Sequence, residues 1–151
     1  MAGATRYLVD TNILLRISRV SDPQQKIIGA SLKELERQGA ELFYTLQNVA
    51  EFWNVCTRPA ESNGYGLSIG ECEKRVGYIE NTMTLLPDTE RVYAIWRRLI
   101  LNYGVRGVQV HDARLAAVMQ AYGVSRLLTL NRPDFQRSSE VQAIHPSEVL
   151  S

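Results

Sequence analysis

The stretch "RYLVDTNILLRI" (Arg6–Ile17) decides the fold that this sequence predicts. Its "YLV" has the apolar character of a short buried strand, and the apolar residues of the following "TNILLRISR" recur at helical spacing. Thr11 or Asn12 is expected to cap that helix. Asp10 therefore lies where a strand ends and a helix begins, with no lysine or arginine beside it in the sequence.

The rest of the chain repeats this alternation of short strands and helices. Further strand candidates are "ELFYT", "LLP", "RLLTL" and a weak "VQAI". Helix candidates are "PQQKIIGASLKELERQGA", "LQNVAEFWNVCT", "IGECEKRVGYIENTM", "TERVYAIWRRLILNY" and "DARLAAVMQAYG". Such alternation predicts an α/β fold, in which helices cover both faces of a parallel sheet. The length and the lack of linker-like segments favour a single domain over residues 1–151.

Composition and charge exclude several classes of protein. The net charge of +1 gives no overall field for a polyanion, so any nucleic acid has to be bound locally. Two cysteines without a CxxC motif, together with two histidines, provide no recognisable zinc site. The apolar runs are too short to cross a bilayer, and the start of the chain does not resemble a signal peptide. We therefore expect a cytoplasmic protein that does not contact a membrane.

Two further carboxylates stand in largely apolar helices. At 100° per residue, Glu51 shares a narrow polar stripe with Gln47, Asn54 and Arg58 on a helix expected to be mostly buried. Asp112 stands at or just inside the start of "DARLAAVMQAYG". Each has an ordinary alternative: the stripe can be a solvated face, and an acid in the first helical turn can cap free N–H groups.

A common site for the three acids would explain why Asp10 has no basic partner. Parallel strands present their carboxyl ends at one edge, where such sheets bind ligands. If Glu51 and Asp112 converge on Asp10 there, a cation is the natural counterion, and an all-oxygen set suits Mg²⁺ or Mn²⁺. Such an ion activates water and stabilises charge on a phosphoryl group, which indicates phosphodiester hydrolysis.

Four segments, taken in order, resemble PIN-domain proteins, in particular VapC-type toxins. They are "YLVDTNILL", "TLQNVAEFWNVCTRP", "GVQVHDARLAAVM" and "LLTLNRPDF". The resemblance implies a three-layer α/β/α sandwich with an acidic cleft that holds Mg²⁺ or Mn²⁺ and cuts single-stranded or structured RNA. It also implies a homodimer, and an antitoxin partner if the protein is the toxin of a type II toxin–antitoxin pair.

The resemblance also assigns roles to individual residues. Asp10, Glu51 and Asp112 match the family's three acidic positions, with Asp10 and Asp112 as direct metal ligands. Glu51 would bind a second metal or orient the attacking water. Thr11 and Asn12 follow the first acid and would shape its hydrogen bonding.

One departure from the family pattern concerns the fourth acidic position. Asn131 stands there as a neutral amide, so either Asn131 or the nearby Asp134 would complete the site. Three arginines near the motifs are candidates for phosphate contacts or for simple surface roles, namely Arg58, Arg114 and Arg132.

Two rival functions remain open from the sequence. A phosphatase of the haloacid-dehalogenase type would use an aspartyl nucleophile after the first strand, but it requires an acid where this chain has Asn12. A catalytically weak or inactive PIN scaffold would instead bind RNA or a protein partner, and the missing fourth acid favours this alternative.

Overall fold

Five short strands form one all-parallel sheet in the computed structural model, which describes residues 3–135 and 140–151. Their bounds are β1 Arg6–Val9, β2 Glu41–Thr45, β3 Thr84–Leu86, β4 Arg126–Leu128 and β5 Gln142–Ile144. The order across the sheet is β3-β2-β1-β4-β5, so the first strand lies at its centre. The predicted parallel sheet is therefore confirmed.

Helices follow the strands along the chain. They are α1 Thr11–Ile17, α2 Gln25–Arg37, α3 Leu46–Thr57, α4 Ile69–Thr82, α5 Glu90–Tyr103, α6 Gln109–Tyr122 and a short α7 Pro146–Val149. Two 3₁₀ turns lie between these elements, Ala60–Ser62 after α3 and Arg132–Phe135 after β4. Within the described residues, no helix is long and apolar enough to cross a membrane.

The alternation of side chains along the strands divides the core in two. Tyr7 and Val9 of β1 pack with buried residues of α1 to α4, whereas Leu8 packs with buried residues of α5 and α6. The same division occurs in β2, where Tyr44 belongs to the first core and Phe43 to the second. Successive strand residues point to opposite faces, so each face of the sheet carries a helical layer. The predicted α/β/α sandwich is confirmed.

Several predictions at helix starts differ from the structure. Helix α2 begins at Gln25, so the predicted start at Pro23 is two residues too early. The N-cap of α1 is Asp10 itself, whose Oδ1 accepts a hydrogen bond from the backbone N–H of Thr11, so the prediction of Thr11 or Asn12 as cap is wrong. Helix α6 begins at Gln109, which places Asp112 within its first turn. In contrast, α3 has the predicted bounds because Thr45 and Asn48 form a capping box at its start.

Candidate active site

Asp10 is fixed at the carboxyl edge of the sheet by neighbours on two sides. Its backbone N–H donates to the carbonyl of Leu128 on the adjacent strand β4, at 3.0 Å. Its Oδ1 accepts from the N–H of Thr11 at 2.7 Å, and its Oδ2 accepts from the Thr129 hydroxyl at 2.8 Å. The Asn12 amide donates to the same Oδ2 at 3.4 Å. The side chain is thus held in one orientation in a nearly solvent-free position.

The electrostatic environment of Asp10 opposes its negative charge. Burial raises the pKa of this carboxyl above its ordinary value, and the nearby charges of Glu51 and Asp134 raise it further. Hydrogen bonds from Thr129 and Thr11 act in the opposite direction and lower the pKa, but burial dominates. A cation beside Asp10 would relieve this cost.

Asp112 shares that environment. Burial raises its pKa from 3.8 to about 6, and the charges of Asp134, Asp10 and Glu51 contribute in that order. His111, its neighbour on α6, lowers the pKa slightly. Carboxylates from four separate segments are therefore linked through their effects on Asp10 and Asp112, and we call Asp10, Glu51, Asp112 and Asp134 the acid cluster.

Glu51 joins the acid cluster from a more open position than the sequence predicts. Helix α3 is not mostly buried: Leu46 is 57% exposed, and both Ala50 and Glu51 are exposed. The Glu51 carboxylate nevertheless raises the pKa of Asp10 and Asp112. The polar stripe of α3 therefore faces the cleft at this residue.

The fourth acid of the cluster is Asp134, on the 3₁₀ turn Arg132–Phe135. Asn131 stands just before that turn with an exposed side chain, and its backbone N–H donates to the Thr129 hydroxyl at 3.0 Å. Of the two residues considered for the fourth position, Asp134 is the one whose charge acts on Asp10 and Asp112.

Three further polar residues support the site, of which the sequence singles out only Gln47, as part of the polar stripe of α3. Thr129, directly after β4, accepts from Asn131 and donates to Asp10. Asn48, fully buried on α3, donates to the Thr11 hydroxyl at 3.0 Å and so ties the starts of α1 and α3 together. The sequence feature that could have identified Thr129 is its position just after a predicted strand, which places it at the same sheet edge as Asp10.

Gln47 is the third such residue, and it reaches the start of α6. Its Nε2 donates to the carbonyl of His111 at 3.0 Å, next to Asp112. Its Oε1 is buried and has no hydrogen-bond partner among the described residues. A buried acceptor without a donor is costly, so this oxygen is suited to a water molecule or a substrate hydroxyl in the cleft.

The three candidate arginines have partners within the chain. Arg114 forms an ion pair with Asp88, and Arg132 forms one with Glu148, both at 2.5 Å. Arg58 ends α3 and donates to the carbonyl of Asn63. It lies seven residues after Glu51, roughly 10 Å along the helix, and its contact with phosphate stays a prediction.

The donor set fits Mg²⁺ or Mn²⁺. All four members of the acid cluster provide carboxylate oxygens, and none of them forms an ion pair in the described part of the chain. Among residues 3–135 and 140–151, no three acidic, histidine or cysteine side chains are already arranged closely enough to hold a metal ion. Hard cations of this class keep several waters and need few protein ligands.

Comparison with known proteins identifies a family that matches most of the chain. Residues 7–140 match the family model described as PIN domain. No curated protein matches the chain.

Several solved structures share the fold. VapBC2 from Rickettsia felis, bound to a promoter DNA fragment, has a TM-score of 0.68 and 14% identity, with 93% of this chain and 98% of that chain covered. VapC20 of Mycobacterium tuberculosis, described as a sarcin–ricin loop cleaving toxin, has a TM-score of 0.66, 14% identity and coverages of 90% and 98%. VapBC-1 from nontypeable Haemophilus influenzae has a TM-score of 0.66, 17% identity and coverages of 95% and 99%. At these identities, the similarity shows a common fold.

Proposed function

The chain belongs to the PIN-domain family, and from that premise we propose that it is an Mg²⁺- or Mn²⁺-dependent endoribonuclease. The observation that carries the proposal is the acid cluster at the carboxyl edge of the sheet. Its members come from the end of β1, from α3, from α6 and from the last 3₁₀ turn. Burial, with a further contribution from the charges of the other three members, raises the pKa of Asp112 to about 6. An uncompensated group of this kind is suited to a hydrated cation.

The chain's own residues have distinct tasks in this proposal. Asp10 and Asp112, the more buried carboxylates, would hold the metal, which when bound supplies an activated water and stabilises phosphoryl charge. Glu51 and Asp134, both exposed, would bind a second ion or orient the attacking water. Asp10 is a rigid ligand because Thr11 and Thr129 hold its two oxygens from different elements.

The direct test measures cleavage of a labelled single-stranded RNA with Mn²⁺, with Mg²⁺ and with chelator. We expect cleavage with metal only, and its loss in Asp10→Asn and Asp112→Asn. Asp22→Asn is the matched control, because this aspartate pairs with Arg16 outside the acid cluster. Full activity in Asp10→Asn or Asp112→Asn after repurification would overturn the proposal.

The alternative is a PIN scaffold that binds RNA without cutting it. The absence of a preformed metal site among the described residues favours this alternative. Calorimetry with Mn²⁺, with and without RNA, separates the two: the nuclease takes up metal at the acid cluster, and Asp112→Asn weakens that uptake. A chain that binds RNA but takes up no metal would be the scaffold.

We further propose that the protein is the toxin of a cytoplasmic toxin–antitoxin pair. Support comes from the solved toxin–antitoxin complexes that share the fold.

A groove of about 490 Å³ lies between α1, α2 and α4, where Leu32, Leu42 and the largely exposed Tyr78 provide an apolar surface beside Lys33 and Glu36. An apolar segment of the antitoxin would fit this groove. Tyr78→Asp is expected to abolish complex formation with the product of the neighbouring gene, and unchanged binding would exclude this groove.

The family resemblance also supports a homodimer. Light scattering on the purified chain would report its mass directly. A mass of one chain of 17.1 kDa at all concentrations would contradict the dimer.

A further inference from the structure

A cavity of about 200 Å³ opens directly beside the acid cluster, between the end of α5, the start of α6 and the last 3₁₀ turn. Asp112 and Asp134 form part of its wall, so whatever occupies it touches the proposed reaction site. The remaining wall is largely apolar and consists of Leu99, Tyr103, Val105, Ala113, Ala116, Pro133 and Phe135, with Gln109 at the first turn of α6.

The cavity exists because of one face of α6. Gln109, Asp112, Ala113 and Ala116 follow the spacing i, i+3, i+4 and i+7, which places them on a single side of the helix. The two alanines leave space where longer side chains would fill the gap against Phe135. The half-exposed ring of Tyr103 stands at the opposite side, 49% accessible to solvent.

Size and charge restrict the occupant. Drug-sized ligands take pockets of about 300–1,000 Å³, so about 200 Å³ suits one ring system and not a whole nucleotide. No lysine or arginine lines the cavity, and two carboxylates do, so a phosphate group is disfavoured there. A flat, neutral group with an apolar face fits both conditions.

We propose that this cavity binds one unpaired nucleobase of the RNA, next to the bond that is cut. The inference rests on the proposed ribonuclease function and adds a base-binding subsite to it. Tyr103 stacks on the base, because aromatic side chains stack on every kind of base. The apolar residues Leu99, Val105 and Pro133 enclose the base, and the sugar–phosphate chain remains outside, at the acid cluster.

A second pocket next to α6 provides a control for the proposed base-binding cavity. It has a volume of about 370 Å³ and is lined by Tyr93, Trp96, His111 and Arg114, but by no member of the acid cluster. Tyr93 is also on α5 and is 58% exposed. Tyr93→Ala is therefore a matched control for Tyr103→Ala.

The first experiment measures RNA binding without cleavage. In the Asp10→Asn background with Mg²⁺, anisotropy gives the Kd of a labelled single-stranded oligonucleotide. Tyr103→Ala is expected to raise Kd about 5-fold or more, because the loss of one base stack weakens binding by at least that factor. Tyr103→Phe and Tyr93→Ala should leave Kd unchanged, and Ala113→Leu, which fills the cavity, should raise it as Tyr103→Ala does.

The second experiment uses cleavage by chains that retain Asp10. Substrates with one abasic nucleotide at successive positions around the cut bond should show a loss of kcat/KM at a single position. With the substrate that is abasic at that position, Tyr103→Ala should cause no additional loss of kcat/KM.

The outcomes separate the two proposals. A wild-type chain that cuts no RNA contradicts the ribonuclease, while the Kd ratios still decide the cavity. Equal Kd values for the Tyr103→Ala and Tyr93→Ala variants overturn the subsite, as does a larger effect of Tyr93→Ala, which would place the base in the second pocket.

Discussion

The Thr129 hydroxyl donates a hydrogen bond of 2.8 Å to the carboxylate of Asp10, across a sequence separation of 119 residues. The contact exists because β4 pairs with β1 in parallel, so that the residues following the two strands meet at one edge. It lowers the pKa of Asp10 against the opposing effect of burial. The contact between Thr129 and Asp10 thus favours the charged form of a buried carboxylate.

Replacing Thr129 by valine should test this contact. The methyl group keeps the shape but removes the donor, so the pKa of Asp10 rises further. We expect the free energy of unfolding at pH 7 to fall by about 1–3 kcal/mol and the affinity for Mn²⁺ to decrease. Urea denaturation and calorimetry provide the measurements. Thr129→Ser keeps the hydroxyl and serves as control; equal Mn²⁺ affinity in both variants would contradict the role of this bond.

The pKa of Asp112 predicts how stability varies with pH in the metal-free protein. The folded chain keeps this proton up to pH about 6, whereas the unfolded chain loses it near 3.8. The folded state therefore loses stability as the pH rises through this window. Asp112→Asn removes the titrating group, so the Tm of the variant relative to wild type should increase between pH 4 and pH 7 in chelator. A Tm difference between Asp112→Asn and wild type that stays constant over this pH range would contradict the prediction.

Arg132 is expected to exchange its partner for RNA phosphate. Its side chain is 53% exposed, and its ion pair with the 44% exposed Glu148 is of a kind worth only about 0–1 kcal/mol. Arg132→Ala should therefore reduce the slope of log Kd against log salt by about 0.7, the value for one phosphate contact with a single strand. Arg37→Ala, which breaks an exposed pair with Glu34 on α2, should leave the slope unchanged. Equal slopes for both variants would remove Arg132 from the interface.

Substitution by alanine is expected to change the free energy of unfolding in opposite directions at two glycines. A methyl group on Gly64 would overlap the backbone carbonyl of Arg58, where α3 turns into the following loop. Gly64→Ala should therefore lower the free energy of unfolding by about 1–3 kcal/mol. Gly77 lies inside α4 with open space around it, so Gly77→Ala should raise stability by about 0.5–1 kcal/mol. Urea denaturation of both variants measures these changes. A Gly64→Ala protein as stable as wild type would contradict the prediction and show that the loop adapts.

The sequence predicts the layers of this fold because local signals repeat along the chain. The bounds of β2 and α3 follow from an apolar run and a capping threonine, Thr45. The start of α6 was less predictable: the aspartate at 112 has the residue type of a cap, yet the helix begins at Gln109, after Val108 without any side-chain cap. Main-chain geometry around Gly107, with φ of 61°, precedes that start.

The site was predictable in its acids and in the two residues that follow the first acid. Asp10, Glu51 and Asp112 stand out because carboxylates are unusual among apolar neighbours, and the charges of Asp10 and Glu51 do raise the pKa of Asp112. Thr11 and Asn12 donate to Asp10 as expected. The roles of Thr129 and Asn48 depend on which strands and helices are neighbours. Strand order is a property of the whole chain that a local pattern does not encode.

The central position of β1 has a consequence for protein synthesis. Asp10 is synthesised before β4, Thr129 and Asp134, which follow only after more than a hundred further residues. A ribosome-bound chain therefore carries the first acid through the synthesis of all these residues without the strand that orients it. The acid cluster forms only after Asp134 has been added.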